Sequence, residues 1–82
     1  PNVYVALDAT ETVNLNRIYA DNVTATEFNV VDSSIAAVSL DNNQLKVKGT
    51  KVGTTKASVT SSDGKTQEFV ITVRKATGNG WM

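Results

Sequence analysis

The chain has no cysteine and no histidine. Without cysteine there can be no disulfide, no thiolate nucleophile and no thiolate metal site. Without histidine the chain lacks the side chain that titrates nearest neutrality and the commonest metal ligand. A serine or threonine nucleophile would have to take its base from a lysine or a carboxylate. No nucleophile-elbow or Ser-x-x-Lys pattern occurs, and the acids stand singly in turns, so no catalytic residue is assigned. Gly49 and Gly53 lie between two strand candidates with no Lys-Ser/Thr pair and no helix after them, so they are not a phosphate loop. No run approaches the roughly 20 apolar residues of a membrane span. No segment has the basic start and apolar middle of a secretory signal. The formal net charge is zero, which argues against general nucleic-acid affinity. The only proline is Pro1. Strand edges must therefore be protected by other means, and outward Lys46, Lys48 and Lys56 are the expected edge charges.

What the chain does have is short alternating runs separated by turn clusters. Val3–Leu7 places Val3, Val5 and Leu7 on one side. Thr12–Tyr19 begins with Val13 and Leu15 in phase, and its alternation slips at Arg17-Ile18-Tyr19. Thr24–Val31 has Phe28 and Val30 in phase. Asp32-Ser33-Ser34 then breaks the run. It could cap a short helix over Ile35-Ala36-Ala37-Val38, but no amphipathic period continues, and a strand is the preferred reading. Leu45 and Val47 alternate with Lys46 and Lys48. Thr55, Ala57 and Val59 alternate with Lys56 and Ser58. Asp63-Gly64 predicts a tight hairpin turn with positive φ at both residues. Thr66–Arg74 returns with Phe69, Ile71 and Val73 on one face, and with Val70 on the other, which suggests a second partly covered face.

About seven short strands at this spacing predict an all-β, two-sheet sandwich over residues 1–75. The expected core from the C-terminal half is Val38, Leu45, Val47, Ala57, Val59, Phe69, Ile71 and Val73. Residues 76–82 form a flexible tail by composition. Trp81 and Met82 at its end either fold back on the domain, remain exposed, or anchor in a neighbouring subunit.

The charges divide along the chain. Residues 1–41 carry six acids against Arg17, and residues 42–82 carry seven bases against Asp63 and Glu68. Either the halves interleave and the charges mix, or the molecule has an acidic and a basic face. Asp8, Asp21, Asp32, Asp41 and Asp63 are oxygen donors of the kind Ca²⁺ takes, but no Asp-x-Asp-x-Asp-Gly loop holds them. Local backbone bonds are their expected use, and no cofactor is assigned. Asn22-Val23-Thr24 fits a glycosylation triplet and is read as a turn.

The stretch from Phe28 to Val73 resembles the bacterial immunoglobulin-like group 2 domain. Phe28 stands where that family often has Trp. Asp32-Ser33-Ser34-Ile35-Ala36-Ala37-Val38 matches its Val/Ile-Ala-x-Val element. Val52-Gly53-Thr54-Thr55-Lys56-Ala57-Ser58-Val59 matches its Gly-Thr strand, and Ser62-Asp63-Gly64-Lys65 with Val70-Ile71-Thr72-Val73 matches its close. The family's Gly before the second strand is absent from Ala9-Thr10-Glu11-Thr12. The resemblance implies an immunoglobulin-like sandwich without catalytic residues, used as a spacer or adhesive module on bacterial surfaces or as a decoration of phage heads and tails.

Two functions are expected from this. One is a virion decoration protein whose partners are other protein subunits, with Trp81, Met82, Lys46, Lys48 and Lys56 as candidate contacts. A start at Pro1, as left by removal of an initiator Met, accords with it. The other is an adhesion module of a cell-surface protein, binding protein or carbohydrate. Tyr4, Tyr19 and Trp81 are its candidates for stacking on sugar.

Overall fold

The computed structural model describes residues 2–75. The tail 76–82, with Trp81 and Met82, lies outside the described residues. Seven strands follow in order: β1 (Asn2–Ala6), β2 (Thr10–Asn14), β3 (Ala25–Val30), β4 (Ala36–Asp41), β5 (Gln44–Gly49), β6 (Gly53–Ser61) and β7 (Thr66–Arg74). They form a four-stranded sheet in the order β1-β7-β6-β3 and a three-stranded sheet in the order β2-β5-β4. β1 runs parallel to β7, the other pairings between these strands are antiparallel, and beyond β1 Leu7 makes an isolated parallel bridge to Gly49. This is the expected immunoglobulin-like sandwich.

Period-two alternation builds the core, because each strand sends alternate side chains to the inner face. Val3 and Val5, Leu45 and Val47, Ala57 and Val59, and Phe69, Ile71 and Val73 are all buried. Each large side chain among them contributes roughly 1.5–3 kcal/mol. Val38 also points inward, opposite Val47, but is only half-buried because β4 is an edge strand. Phe28 is opposite Val59 and shares its side, yet remains 40% exposed for the same reason on edge strand β3. Inward phase is a property of the strand, whereas cover depends on the facing sheet.

The slip at Arg17-Ile18-Tyr19 has a cause. β2 ends at Asn14, and Leu15–Arg17 forms a short 3-10 helix. The Asn14 side chain caps it by accepting from the Asn16 N–H at 3.1 Å. That turn drives Leu15 fully into the core.

The tight turn is not where the sequence suggests. At Asp63-Gly64 only Gly64 has positive φ, at 84°. The Gly64 N–H donates to the Ser61 carbonyl at 2.9 Å, and the Ser61 N–H to the Lys65 carbonyl at 2.8 Å. This is a three-residue loop with a glycine bulge, not the tight two-residue turn. The two-residue turn lies instead at Asn42-Asn43, with φ of 48° and 64°. Gly49 closes β5. A Cβ there would meet the Val73 side chain at 2.7 Å and the Ala6 carbonyl at 2.9 Å.

Asn43 does more than turn the chain. It is 8% exposed, and its side chain reaches across the end of the sandwich. Its Oδ1 accepts from the Ala25 N–H at 2.7 Å. Its Nδ2 donates to Asn16 Oδ1 at 2.9 Å and to the Val23 carbonyl at 3.0 Å. Its own carbonyl accepts from the Leu15 N–H at 2.7 Å. One residue thus ties the β4–β5 turn to the 3-10 helix and to the start of β3.

Asn43→Ala is expected to cost roughly 2–4 kcal/mol in urea unfolding, since it strands buried backbone groups and strains a left-handed residue. Asn43→Gly relieves only the strain, so it should recover no more than about 1 kcal/mol of that loss. Gly49→Ala should cost roughly 1–3 kcal/mol by forcing β1, β5 and β7 apart.

Candidate interaction surfaces

The outer face of the three-stranded sheet is built in rows. Thr10, Lys48 and Ala37 stand side by side across β2, β5 and β4, and Thr12, Lys46 and Ser39 form the next row. Lys46 and Lys48 therefore project from the central strand, flanked by short side chains. Thr10, Ala37, Ser39 and the two lysines line a shallow depression of about 290 Å³. Among the described residues, no carboxylate lies within 4.0 Å of either ammonium.

Lys56 is elsewhere. It projects from β6, on the outer face of the four-stranded sheet, and its Nζ lies 4.0 Å from Glu68 Oε1. Both side chains are well exposed, so this pair adds little stability. The expectation that Lys46, Lys48 and Lys56 guard sheet edges is corrected here. β5 and β6 are interior strands of their sheets. Strand order, which local alternation does not encode, decides which strands are edges.

The charge division also dissolves on folding. β1 pairs with β7, β2 with β5, β3 with β6 and β4 with β5. Each of these pairings joins the acidic half of the chain to the basic half, so the charges mix. The Lys46–Lys48 face keeps two like charges side by side on β5.

The tyrosines do not share a surface. Tyr4 lies on the outer side of β1, 54% exposed, with the Arg74 guanidinium 5.0 Å from its ring centroid. Tyr4, Ala6 and Arg74 border a cleft of about 200 Å³. Tyr19 follows the 3-10 helix and packs against the core. With Ile18, Val23, Ser61, Asp63 and Gln67 it lines a separate cleft of about 340 Å³. The Tyr19 hydroxyl is buried, with no hydrogen-bond partner among the described residues. Burial first, and the Asp63 carboxylate second, push its pKa above the usual tyrosine value. No sequence signal marked this cleft, because its two walls, residues 18–23 and 61–67, are far apart along the chain.

The turn acids bond locally. Asp32 accepts from the Ser34 N–H at 3.0 Å and from the Ser34 hydroxyl, and these bonds lower its pKa. The Ser61 hydroxyl donates to Asp63 and lowers its pKa in the same way. A carboxylate held below its ordinary range is a weaker base, so the Ser61–Asp63 contact is poorly suited to activating the serine. No cluster of three acidic side chains that could hold a metal ion occurs among the described residues.

Both lowered acids link stability to pH with the same sign. Their contribution is present above the unfolded carboxylate pKa and is lost as pH falls through the folded values. Acid unfolding midpoints should therefore shift when Asp32 or Asp63 is changed to Asn, and the stability-against-pH curve below about pH 4 should flatten in each variant. An unchanged slope in both would show that these bonds do not persist in solution.

No family model matches the chain, and a search of curated proteins finds no match.

Proposed function

We propose that this chain is a non-catalytic interaction module, serving as a phage virion decoration protein on a capsid or tail. The observation that carries the reading is the Lys46–Lys48 face. Two ammonium groups stand on the central strand of a rigid sheet, between side chains too short to hide them. Such a face suits an acidic protein surface, where charge complementarity sets orientation and speeds encounter. The resemblance of Phe28–Val73 to bacterial immunoglobulin-like group 2 domains points the same way. So does the lack of histidine and cysteine, which leaves little to build an active site from. Trp81 and Met82 are further candidate contacts in this reading, and Lys56, paired with Glu68 on the opposite face, is a weaker one.

A second reading is an adhesion or carbohydrate-binding module of a bacterial cell-surface protein. Exposed Tyr4 beside Arg74 favours it, since an aromatic face next to a hydrogen-bond donor can hold a sugar ring.

Fractionation separates the two. Cultures of the organism carrying the gene are induced for phage and divided into gradient-purified particles, envelopes and cytosol, and the chain is followed by mass spectrometry. The first reading expects it in particles at many copies, and expects Lys46→Glu with Lys48→Glu to release it while the purified variant still melts cooperatively. Recovery in envelopes alone would overturn the virion reading in favour of the second.

A further inference from the structure

Among the described residues the sandwich leaves four edge strands: β1 and β3 in one sheet, β2 and β4 in the other. Edges invite pairing with another chain unless something blocks them. β3 is broken by a register shift between Ala25 and Glu27. β2 directs Glu11 to the inner side, opposite Val47, where it remains exposed. Both are blocking devices. β1 is uncharged, with Arg74 over its Tyr4. β4 has no proline, lysine or bulge, and its register with β5 is unbroken from Ala36 to Asp41.

The Asn42-Asn43 turn fixes which backbone groups of β4 are free. It makes Asp41 and Gln44 the hydrogen-bonded pair that closes the hairpin. Alternation along the ladder then leaves the N–H and C=O of Val38 and Leu40 at the open edge. The same two residues point their side chains inward and are only half-buried. Half-exposed Phe28 is on β3, the other sheet's edge strand beside β4. A strand added along β4 would satisfy those backbone groups and cover those side chains together.

We propose that this strand is β4 of a second copy, so that two chains join edge to edge as a symmetric dimer. Charge selects the occupant and the register. With Ser39 opposite Ser39 of the second copy, Val38 meets Leu40 of the second copy, which keeps inward side chains with inward side chains. Ala37 then meets Asp41 of the second copy. Lys48 is the neighbour of Ala37 on its other side. Two strand spacings are about 10 Å, and the methyl group of Ala37 leaves the space between open for an ammonium to reach a carboxylate. Two-fold symmetry makes that pair twice. β1 lacks any such acid–base match across its edge. This dimer does not depend on the virion reading, and holds equally for a surface module.

Sedimentation velocity of the full chain from about 5 to 500 µM tests it. A dimer is expected, weakened as salt rises to about 0.5 M. Asp41→Lys should weaken it roughly twofold to thirtyfold, since two pairs are lost. Lys48→Asp added to Asp41→Lys should restore most of the loss. Val38→Pro removes an edge N–H without touching the β4–β5 ladder, and should give monomer with an intact far-UV circular dichroism spectrum. If Val38→Pro fails to fold, the charge reversal and its restoration decide alone. A monomer throughout the range overturns the proposal. So does a dimer indifferent to Asp41→Lys, or a monomer that uses this edge to bind a different protein.

Discussion

The end of the sandwich depends on one buried amide. Asn43 must be left-handed to close the β4–β5 turn, and in that conformation its side chain is swung toward the 3-10 helix and β3. Glycine would allow the turn but make no cross-link. Its side chain bonds the Ala25 N–H and the Val23 carbonyl, and also the Asn16 side-chain oxygen. Without these bonds the segment between the 3-10 helix and β3 is held to the rest of the sandwich by the packing of Tyr19 and by two bonds to Ser62, from the Ser62 N–H to the Thr24 carbonyl and from the Thr24 N–H to the Ser62 hydroxyl. The Tyr19 cleft exists because this segment is held in place.

Gly49 plays the complementary part at the opposite end. There the constraint is space rather than bonding. The Asp8 N–H donates to the Gly49 carbonyl at 2.7 Å, and the Gly49 N–H donates to the Ala9 carbonyl at 3.1 Å. β1 crosses from one sheet to the other against a residue with no side chain. The two ends are thus closed by different means, a hydrogen-bonding amide and a missing methyl group.

Between these ends the strand order sets what the surface offers. Interleaving the halves of the chain cancels the charge division and leaves a two-lysine face on the three-stranded sheet. It also puts Lys56 on the opposite side, beside Glu68, so three lysines similar in local sequence have different surroundings. The sheets' open edges are unequal for the same reason, because bulges and inward acids fall on β3 and β2 and not on β4.

Much of the fold was legible in the residues. Alternation at Val3-Val5, Leu45-Val47 and Phe69-Ile71-Val73 reports an inner face directly, since a strand has period two whatever it pairs with. Seven strands and the strand reading of Ala36–Asp41 follow from that period and from the turn clusters. The absence of histidine and cysteine is likewise a fact of the sequence. Only the tertiary structure decided which strands are edges, and so left Phe28 and Val38 half-covered and moved the lysines to interior strands. It also decided that Asn43 rather than Asp63-Gly64 forms the tight turn, because a buried amide can be recognised only from the groups it meets, and these come from Leu15, Asn16, Val23 and Ala25. Local alternation describes a strand, whereas edges, clefts and cross-links are relations between strands distant in the chain.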